Sequence, residues 1–369
     1  MVGVPERDAD LLYACRYACA DPIAWFRVRG RSHLLVNDLE LAGARRSATV
    51  DSVLPLSRYY ASLKRKRVAH IDLFRALGEA LKERGARRVE VSHDFPAGGL
   101  ANLRRAGIHP VPSPRAFFPA RPLKTPEEIN AIRAAVRAAE AGLATAILTL
   151  AACRIGRDGL LYLGADRLTS EMLREKGERA MFAAGAAPER SIVAAGPQGA
   201  DPHHRGSGPL PAHRPIVLDF FPRHRASGYY GDLTRTVVKG QADDATRRAF
   251  EAVLEAQRYA LRLVRHGAEG SAIHRNLCEF FEAAGYPMSR TEKRREGFFH
   301  GTGHGIGLEL HETPVLGTWP CRLQAGNVLA VEPGLYYRWL GGIRLEDVVV
   351  VTRKGCRKLS RFPVFLEIP

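Results

Sequence analysis

The stretch HGTGHGIGLELHETP, residues 300–314, sets His300, His304 and His311 among four glycines. Imidazoles this close together can ligate a metal or move protons near neutral pH. Either role needs carboxylate partners. Four acidic residues end or interrupt apolar, strand-like runs: Asp219 in IVLDFF, Asp232 in YYGDLTRT, Glu332 in VLAVEPG and Glu346 in GIRLEDVVVV. A carboxylate between apolar strand residues is costly to bury unless it is paired or bound to a cation. These four, with His304 between the second and third, carry four negative charges that two divalent cations would balance. Oxygen ligands with one nitrogen suit Mn²⁺, Co²⁺, Fe²⁺ or Zn²⁺ better than Cu(I). Two such ions about 3.5–4 Å apart acidify a shared water and polarise a carbonyl, so the expected chemistry is hydrolysis.

The neighbours of His304 have expected roles. His300 and His311 flank it and would handle protons. The glycines beside it would allow close approach of another chain segment or of substrate. One of His203 and His204, in DPHH, is expected to face the site.

The elements that must hold these residues are legible in outline. HPVPSPRAFFPARPLKTP, residues 109–126, is rich in proline and reads as a linker without regular structure. Before it, AWFRVRGRSHLLVND predicts two strands around a tight Gly30–Arg31 turn. HIDLFRALGEALKERG predicts an amphipathic helix and RRVEVS a strand, so this part is α/β. After it, Thr125, Pro126 and Glu128 form a capping-box signature for a helix with Ile129, Ile132, Val136, Leu143 and Ile147 on one face. Further helices are expected near 168–184, 243–266 and 271–284, the last capped by Ser271. The remaining strand-like runs contain the acidic residues, giving an α+β domain.

Composition bounds the reading. At 369 residues, 46% hydrophobic and 25% charged, the chain is globular and long enough for two domains. Its net charge of +16 invites a nucleic-acid partner. The basic residues are spread along the chain, however, the densest runs being KRKR at 64–67 and EKRRE at 292–296. No zinc finger, helix-turn-helix or RNA-binding pattern accompanies them, so no specific nucleic acid is expected. Six scattered cysteines form no CxxC pair and no disulfide framework is expected. The longest nearly apolar run, residues 141–153, is shorter than the roughly 20 residues of a membrane span. With no basic-then-apolar signal segment at the start, a cytoplasmic protein without membrane contact is expected.

Taken in order, Asp219, Asp232, His304, Glu332 and Glu346, with the stretches GTGHGIGLELHE, VEPGLYY and GIRLEDVVVVT, resemble the pita-bread metallopeptidase family. Its members include Xaa-Pro aminopeptidases, prolidases, methionine aminopeptidases and the metal-free creatinases. The resemblance covers about residues 124–369 and reaches the N-terminal part more weakly. It implies an α+β pita-bread catalytic domain over 121–369, preceded by a smaller α/β creatinase-type domain over 1–120. It implies that Asp219 chelates one ion, that Asp232 and Glu346 bridge two, and that His304 and Glu332 hold the other. Glu332 would also take a proton from the bridging water. His203 would contact substrate or shuttle protons, and His300 and His311 would stabilise the tetrahedral intermediate near the proline. Arg344 would steady the site. Two divalent ions, Mn²⁺ first, and a homodimer are implied.

The intact ligand set argues against creatinases, and the N-terminal domain against methionine aminopeptidases. An Xaa-Pro aminopeptidase comes first. A prolidase cleaving Xaa-Pro dipeptides is the alternative, with Arg322, Arg338 or His203 as its carboxylate clamp. A non-enzymatic binding protein of this fold comes last. The substrate is expected to be a peptide or dipeptide with proline in second position. One departure stands out: Asp219 and Asp232 lie thirteen positions apart, two more than in the family's pattern. The extra residues are expected to lengthen the hairpin between them, with PRHR solvated, and an even insertion preserves which face each strand presents.

Overall fold

The computed structural model describes residues 1–291 and 294–369, so Glu292 and Lys293 of the second basic run lie outside the described residues. The chain divides into two compact units, Met1–Arg121 and Pro122–Pro369.

The first unit runs β1 (Val2–Gly3), α1 (Ala9–Cys15), β2 (Ile23–Val28), β3 (Arg31–Val36), α2 (Leu41–Ser47), β4 (Ser52–Pro55), α3 (Leu56–Arg65), α4 (Leu73–Glu83), β5 (Arg88–Val91), α5 (Ala97–Arg105) and β6 (His109–Pro112). Strands β1 to β4 form one sheet in sequence order. The β2–β3 turn is Arg29–Gly30, both with positive φ, the twist a two-residue hairpin needs. Alternate residues of β2 serve two cores. Ala24 and Phe26 pack with Leu77 and Leu81 of α4, while Ile23 and Trp25 pack with Leu11 and Cys15 of α1. The first residues of the expected linker are strand β6, paired parallel with β5. His109 donates to the carbonyl of Arg87, just before β5, and Ser113 to that of Val91, so by alternation Pro110 and Pro112 face the outer edge, where a missing N–H costs nothing.

The second unit begins with α6 (Pro126–Ala152). Thr125 accepts from the Glu128 amide while the Glu128 carboxylate accepts from the Thr125 amide, a complete capping box. By length and composition alone this helix could cross a membrane, contrary to the shorter run read from the sequence. In the fold, Leu143, Ala146 and Leu150 are buried in the core. A small three-stranded sheet follows, β7 (Arg154–Ile155), β8 (Leu161–Leu163) and β9 (Asp166–Arg167), and then α7 (Ser170–Ala183). The first half of the unit closes with β10 (Ala186–Ala187), β11 (Ile192–Ala195), β12 (Ile216–Phe220), β13 (Arg223–His224) and β14 (Leu233–Lys239).

The second half runs α8 (Asp244–Leu263), α9 (Gly270–Ala283), β15 (Ser289–Thr291), β16 (Arg294–Glu296), β17 (Gly303–Gly305), β18 (Glu312–Leu316), β19 (Val328–Val331), β20 (Gly334–Tyr337), β21 (Gly341–Arg344), β22 (Asp347–Val351), β23 (Cys356–Lys358) and β24 (Glu367–Ile368). Helix α9 starts one residue before Ser271, and its cap is Glu269, whose carboxylate accepts from the Cys321 amide instead of the helix. One sheet has the order β11-β12-β14-β24, the other β18-β17-β19-β22-β23. Helices α6 and α7 cover the first, where Leu143 and Leu173 meet Leu218 and Phe220. Helices α8 and α9 cover the second, where Phe250 and Leu277 meet Leu329 and Val349. The mixed architecture is the expected α+β one, and the acidic residues lie on the strands of both sheets or at their ends.

Candidate metal centre

Only Asp219 lies inside a strand. Asp232 precedes β14, Glu332 follows β19, and Glu346 sits between β21 and β22. The acidic side chains thus occur where ladders break, at Pro333 for instance, which has no N–H to donate. Asp219 pairs across strands with Thr234, so the period of two puts Asp232, Thr234 and Thr236 in one row on the same face as Asp219. That row meets the β21–β22 corner. Thr234 Oγ1 donates to Glu346 Oε2 at 2.8 Å, and Thr236 Oγ1 accepts from the Arg344 amide at 2.9 Å.

His304 comes from β17, between β18 and β19. A Cβ on Gly303 would stand 2.0 Å from the Ala330 carbonyl oxygen, and one on Gly305 2.5 Å from that of Thr313. The glycines therefore admit the chain's own neighbouring strands, the first of the two expected uses. A register shift after His304 in the β17–β18 ladder turns the strand at the histidine.

The side chains of Asp232, His304 and Glu346 place ligand atoms within 4.8 Å of one another, all buried. His304 Nδ1 lies 3.0 Å from the Gly305 carbonyl, which can only accept, so Nδ1 carries the proton and Nε2 presents a lone pair. Nε2 lies 3.6 Å from Asp232 Oδ2 and 3.7 Å from Glu332 Oε1. Burial, then the neighbouring His311, lowers the His304 pKa to about 4, so no imidazolium proton fills that gap. Burial and mutual repulsion raise Asp232 and Glu346 well above the usual carboxylate range, and burial lifts Glu332 to about 7. Asp219 accepts from Arg344 Nη2 at 2.5 Å through Oδ2, while its Oδ1 is buried with no partner. An orphaned carboxylate oxygen, a bare imidazole lone pair and mutually repelling acids are what divalent cations would satisfy. Asp219, Asp232, His304, Glu332 and Glu346 fit such ions.

The remaining expected residues divide. Arg344, buried, donates to Asp219 and to Tyr336 Oη at 2.8 Å. His300 Nδ1 faces the Gly301 carbonyl at 2.7 Å, and Nε2 receives the Tyr336 hydroxyl at 3.0 Å. Burial, then Arg344, pushes His300 down to about 3. It stays neutral at working pH, a correction to the titrating role read from the loop. His311 is exposed, its ring 4.3 Å from that of His304. His203 is exposed and close enough for its charge to act on both His300 and His311. His204 instead accepts from the Gly206 amide through Nδ1.

Beside the centre, Pro202, Asp201, His204, Phe299, Arg295 and Arg338 line a cavity of about 580 Å³. Two of its lining residues touch the site: Phe299 packs on Tyr336, and the Pro202 carbonyl lies 3.4 Å from Arg344 Nη1. Arg322 is not among its lining residues.

The long hairpin between the two aspartates is not a solvated loop. Arg223 and His224 form β13, paired with β10, and both are half-buried. Arg225 lies over the Phe182 ring. Tyr229 donates to Glu128 of α6 at 2.6 Å, and the Tyr230 amide to the Gly307 carbonyl. The added length is thus absorbed by docking. Sequence reasoning missed Tyr336, the hydroxyl between His300 and Arg344. Its only signal was a polar aromatic in VEPGLYY. The buried pair of Lys124 and Glu312, 2.6 Å apart, had none, since 188 positions separate the partners.

Residues 130–353, more than half of the chain, match the profile of metallopeptidase family M24. The chain belongs to this family. This M24 chain is 30% identical over 249 residues to the Xaa-Pro dipeptidase of Pyrococcus furiosus, covering 65% of the chain and 64% of that protein. It is 35% identical over 179 residues to the uncharacterized peptidase YqhT of Bacillus subtilis, covering 48% of each. The match therefore spans less than two thirds of these relatives' length. Among solved structures, the X-Pro aminopeptidase from Thermotoga maritima superposes with a TM-score of 0.83 at 22% identity, covering all of this chain and 96% of that one. Dipeptidase PepE from Mycobacterium ulcerans does so with 0.76 at 27%, covering 98% and 91%. The fold of the M24 chain is the pita-bread fold with its N-terminal domain, as expected.

Proposed function

We propose that this chain is a metal-dependent Xaa-Pro aminopeptidase, hydrolysing the bond between an N-terminal residue and a following proline. The observation that carries the reading is the convergence of three repelling carboxylates and one bare imidazole nitrogen in one buried cluster, with an orphaned Asp219 oxygen close by. Asp219, Asp232, His304, Glu332 and Glu346 would hold two divalent cations, Mn²⁺ first among the candidates. Bound there, the ions would supply positive charge to polarise the scissile carbonyl and to acidify water. Glu332, with 21% of its side chain exposed, is the acid of the cluster most open to solvent and is placed to exchange a proton with water. Exposed His311, beside His304, and exposed His203, near His300 and His311, would orient the substrate carbonyl and the proline. Tyr336 and neutral His300 hold Arg344, and Arg344 fixes Asp219.

A second reading, prolidase, is favoured by one feature. Arg295 and Arg338 line the cavity beside the centre, where a guanidinium could clamp the carboxylate of a dipeptide. The Xaa-Pro dipeptidase name of the Pyrococcus furiosus relative supports it. Hydrolysis of Ala-Pro against Ala-Pro-Ala by metal-reconstituted protein separates the two. Release of alanine from the tripeptide supports the aminopeptidase; cleavage of the dipeptide alone supports the prolidase. If neither is cut with any of the four ions, both readings fail.

A further inference from the structure

Helix α9 carries one imidazole that the acidic cluster and the histidine loop leave unexplained. His274 is half-buried, its Nδ1 3.0 Å from Thr302 Oγ1 and its Nε2 3.7 Å from Cys278 Sγ, one helical turn along. Burial lowers its pKa, so the ring is uncharged at neutral pH. A neutral imidazole has one donor and one acceptor nitrogen, and a hydroxyl and a thiol can each take either part. The ring also packs on Phe298, with centroids 5.5 Å apart, and Phe298 packs on His300 at 5.3 Å.

Thr302 is fully buried and lies midway between His300 and His304. Its amide donates to the Leu316 carbonyl at 2.7 Å, and its carbonyl accepts from the Glu332 amide at 2.9 Å. Thr302 therefore seats Glu332 directly and leads into His304 through Gly303. Gly301 and Gly303 flank it, and glycine leaves a backbone the widest choice of conformation. The Thr302 side chain is what ties this glycine-flanked segment to a helix. Its buried hydroxyl needs a partner, since an unpaired one costs the full desolvation of the group. Among the described residues that partner is His274.

We propose that His274 is a positioning residue for the metal centre: through the Thr302 hydroxyl it holds the backbone that seats Glu332 and presents His304. It acts at one remove from the chemistry, so its loss should fall on kcat more than on KM. That kinetic role rests on the peptidase reading above; the hold on the backbone does not.

The test uses full-length protein carrying His274→Ala, His274→Asn, Thr302→Val or the pair His274→Ala/Thr302→Val. Cleavage of Ala-Pro-Ala and Ala-Pro is followed with Mn²⁺ present, and amide exchange in metal-stripped samples. His274→Ala and Thr302→Val should each lower kcat at least about tenfold, with KM within about threefold, since each leaves one buried polar group unpaired. The pair should lose no more than about twofold beyond either single variant, because both changes remove the same bond. His274→Asn, whose amide stands near the place of Nδ1, should recover most of the kcat. In His274→Ala, exchange should quicken at least about tenfold over residues 300–305 and 330–334 and stay as in the parent across α8. Losses that multiply in the pair, an asparagine variant no better than the alanine one, or a lower melting temperature with unchanged kcat overturn the proposal. So does exchange that is unchanged over both segments. A parent that cleaves neither peptide overturns the peptidase reading instead, and exchange then still decides whether His274 holds the segment.

Discussion

Replacing Lys124 by methionine tests how the histidine loop is held. Lys124 Nζ donates to Glu312 Oε2 at 2.6 Å, with the two side chains only 2% and 4% exposed. Glu312 follows His311, opens β18 opposite Gly305, and takes the Glu309 amide on its other oxygen. Lys124→Met removes the ammonium from beside that buried carboxylate. Breaking a buried pair in this way costs about 3–5 kcal/mol, whereas an exposed pair costs about 0–1. Urea unfolding of the second unit, followed by circular dichroism, should therefore show a large fall in midpoint at unchanged slope. The double variant Lys124→Met/Glu312→Leu removes both charges and should recover most of the loss. Peptide cleavage should fall in Lys124→Met, because Glu312 directly follows His311 and pairs with Gly305, the residue after His304. A cost below about 1 kcal/mol for Lys124→Met, the range of surface pairs, would refute the reasoning.

Other outcomes follow from the same contacts. Arg344→Lys cannot reach both Asp219 and Tyr336, and two charge-assisted bonds at about 1.5–3 kcal/mol each predict a loss of kcat/KM of at least about tenfold, read by steady-state kinetics. Gly231→Ala drives a Cβ to 2.4 Å from the α6 backbone at Ala135 and should cost about 1–3 kcal/mol or more in thermal unfolding. Gly98→Ala, in α5 with nothing within 4 Å, should instead stabilise by about 0.5–1 kcal/mol, and a loss there would contradict the helix. Asp232→Asn relieves repulsion, so the metal-stripped variant should melt above the metal-stripped parent. Only the parent should gain about 2.7 kcal/mol when an ion is added at a hundred times its Kd.

The cluster of acidic residues was legible because charge inside apolar runs is rare and has few physical explanations. The capping box at Thr125 and the β2–β3 hairpin were legible because they are local. What failed was whatever depends on distant partners. Pro110 and Pro112 argued against a strand until β5 supplied a neighbour on the side where their missing N–H is not needed. The glycines around His304 were read as room for another chain segment or for substrate, and only the fold shows that β18 and β19 take it. His300 has the residue type of a proton carrier, and its burial against Arg344, not its sequence, sets it neutral. The two extra residues between Asp219 and Asp232 were counted correctly, yet their docking on β10 and α6 rests on Tyr229 and Arg223 meeting partners far along the chain.

The central claim is that Asp219, Asp232, His304, Glu332 and Glu346 hold divalent cations on which hydrolysis depends. The direct measurement is equilibrium dialysis of metal-stripped protein against Mn²⁺, with Ala-Pro-Ala and Ala-Pro cleavage assayed on the same samples. Asp232→Ala and His304→Ala are carried alongside. The account predicts two ions per chain in the parent, cleavage that rises with occupancy, and loss of both in each variant. Cleavage unchanged in the metal-stripped protein, or full Mn²⁺ binding by both variants, would contradict it.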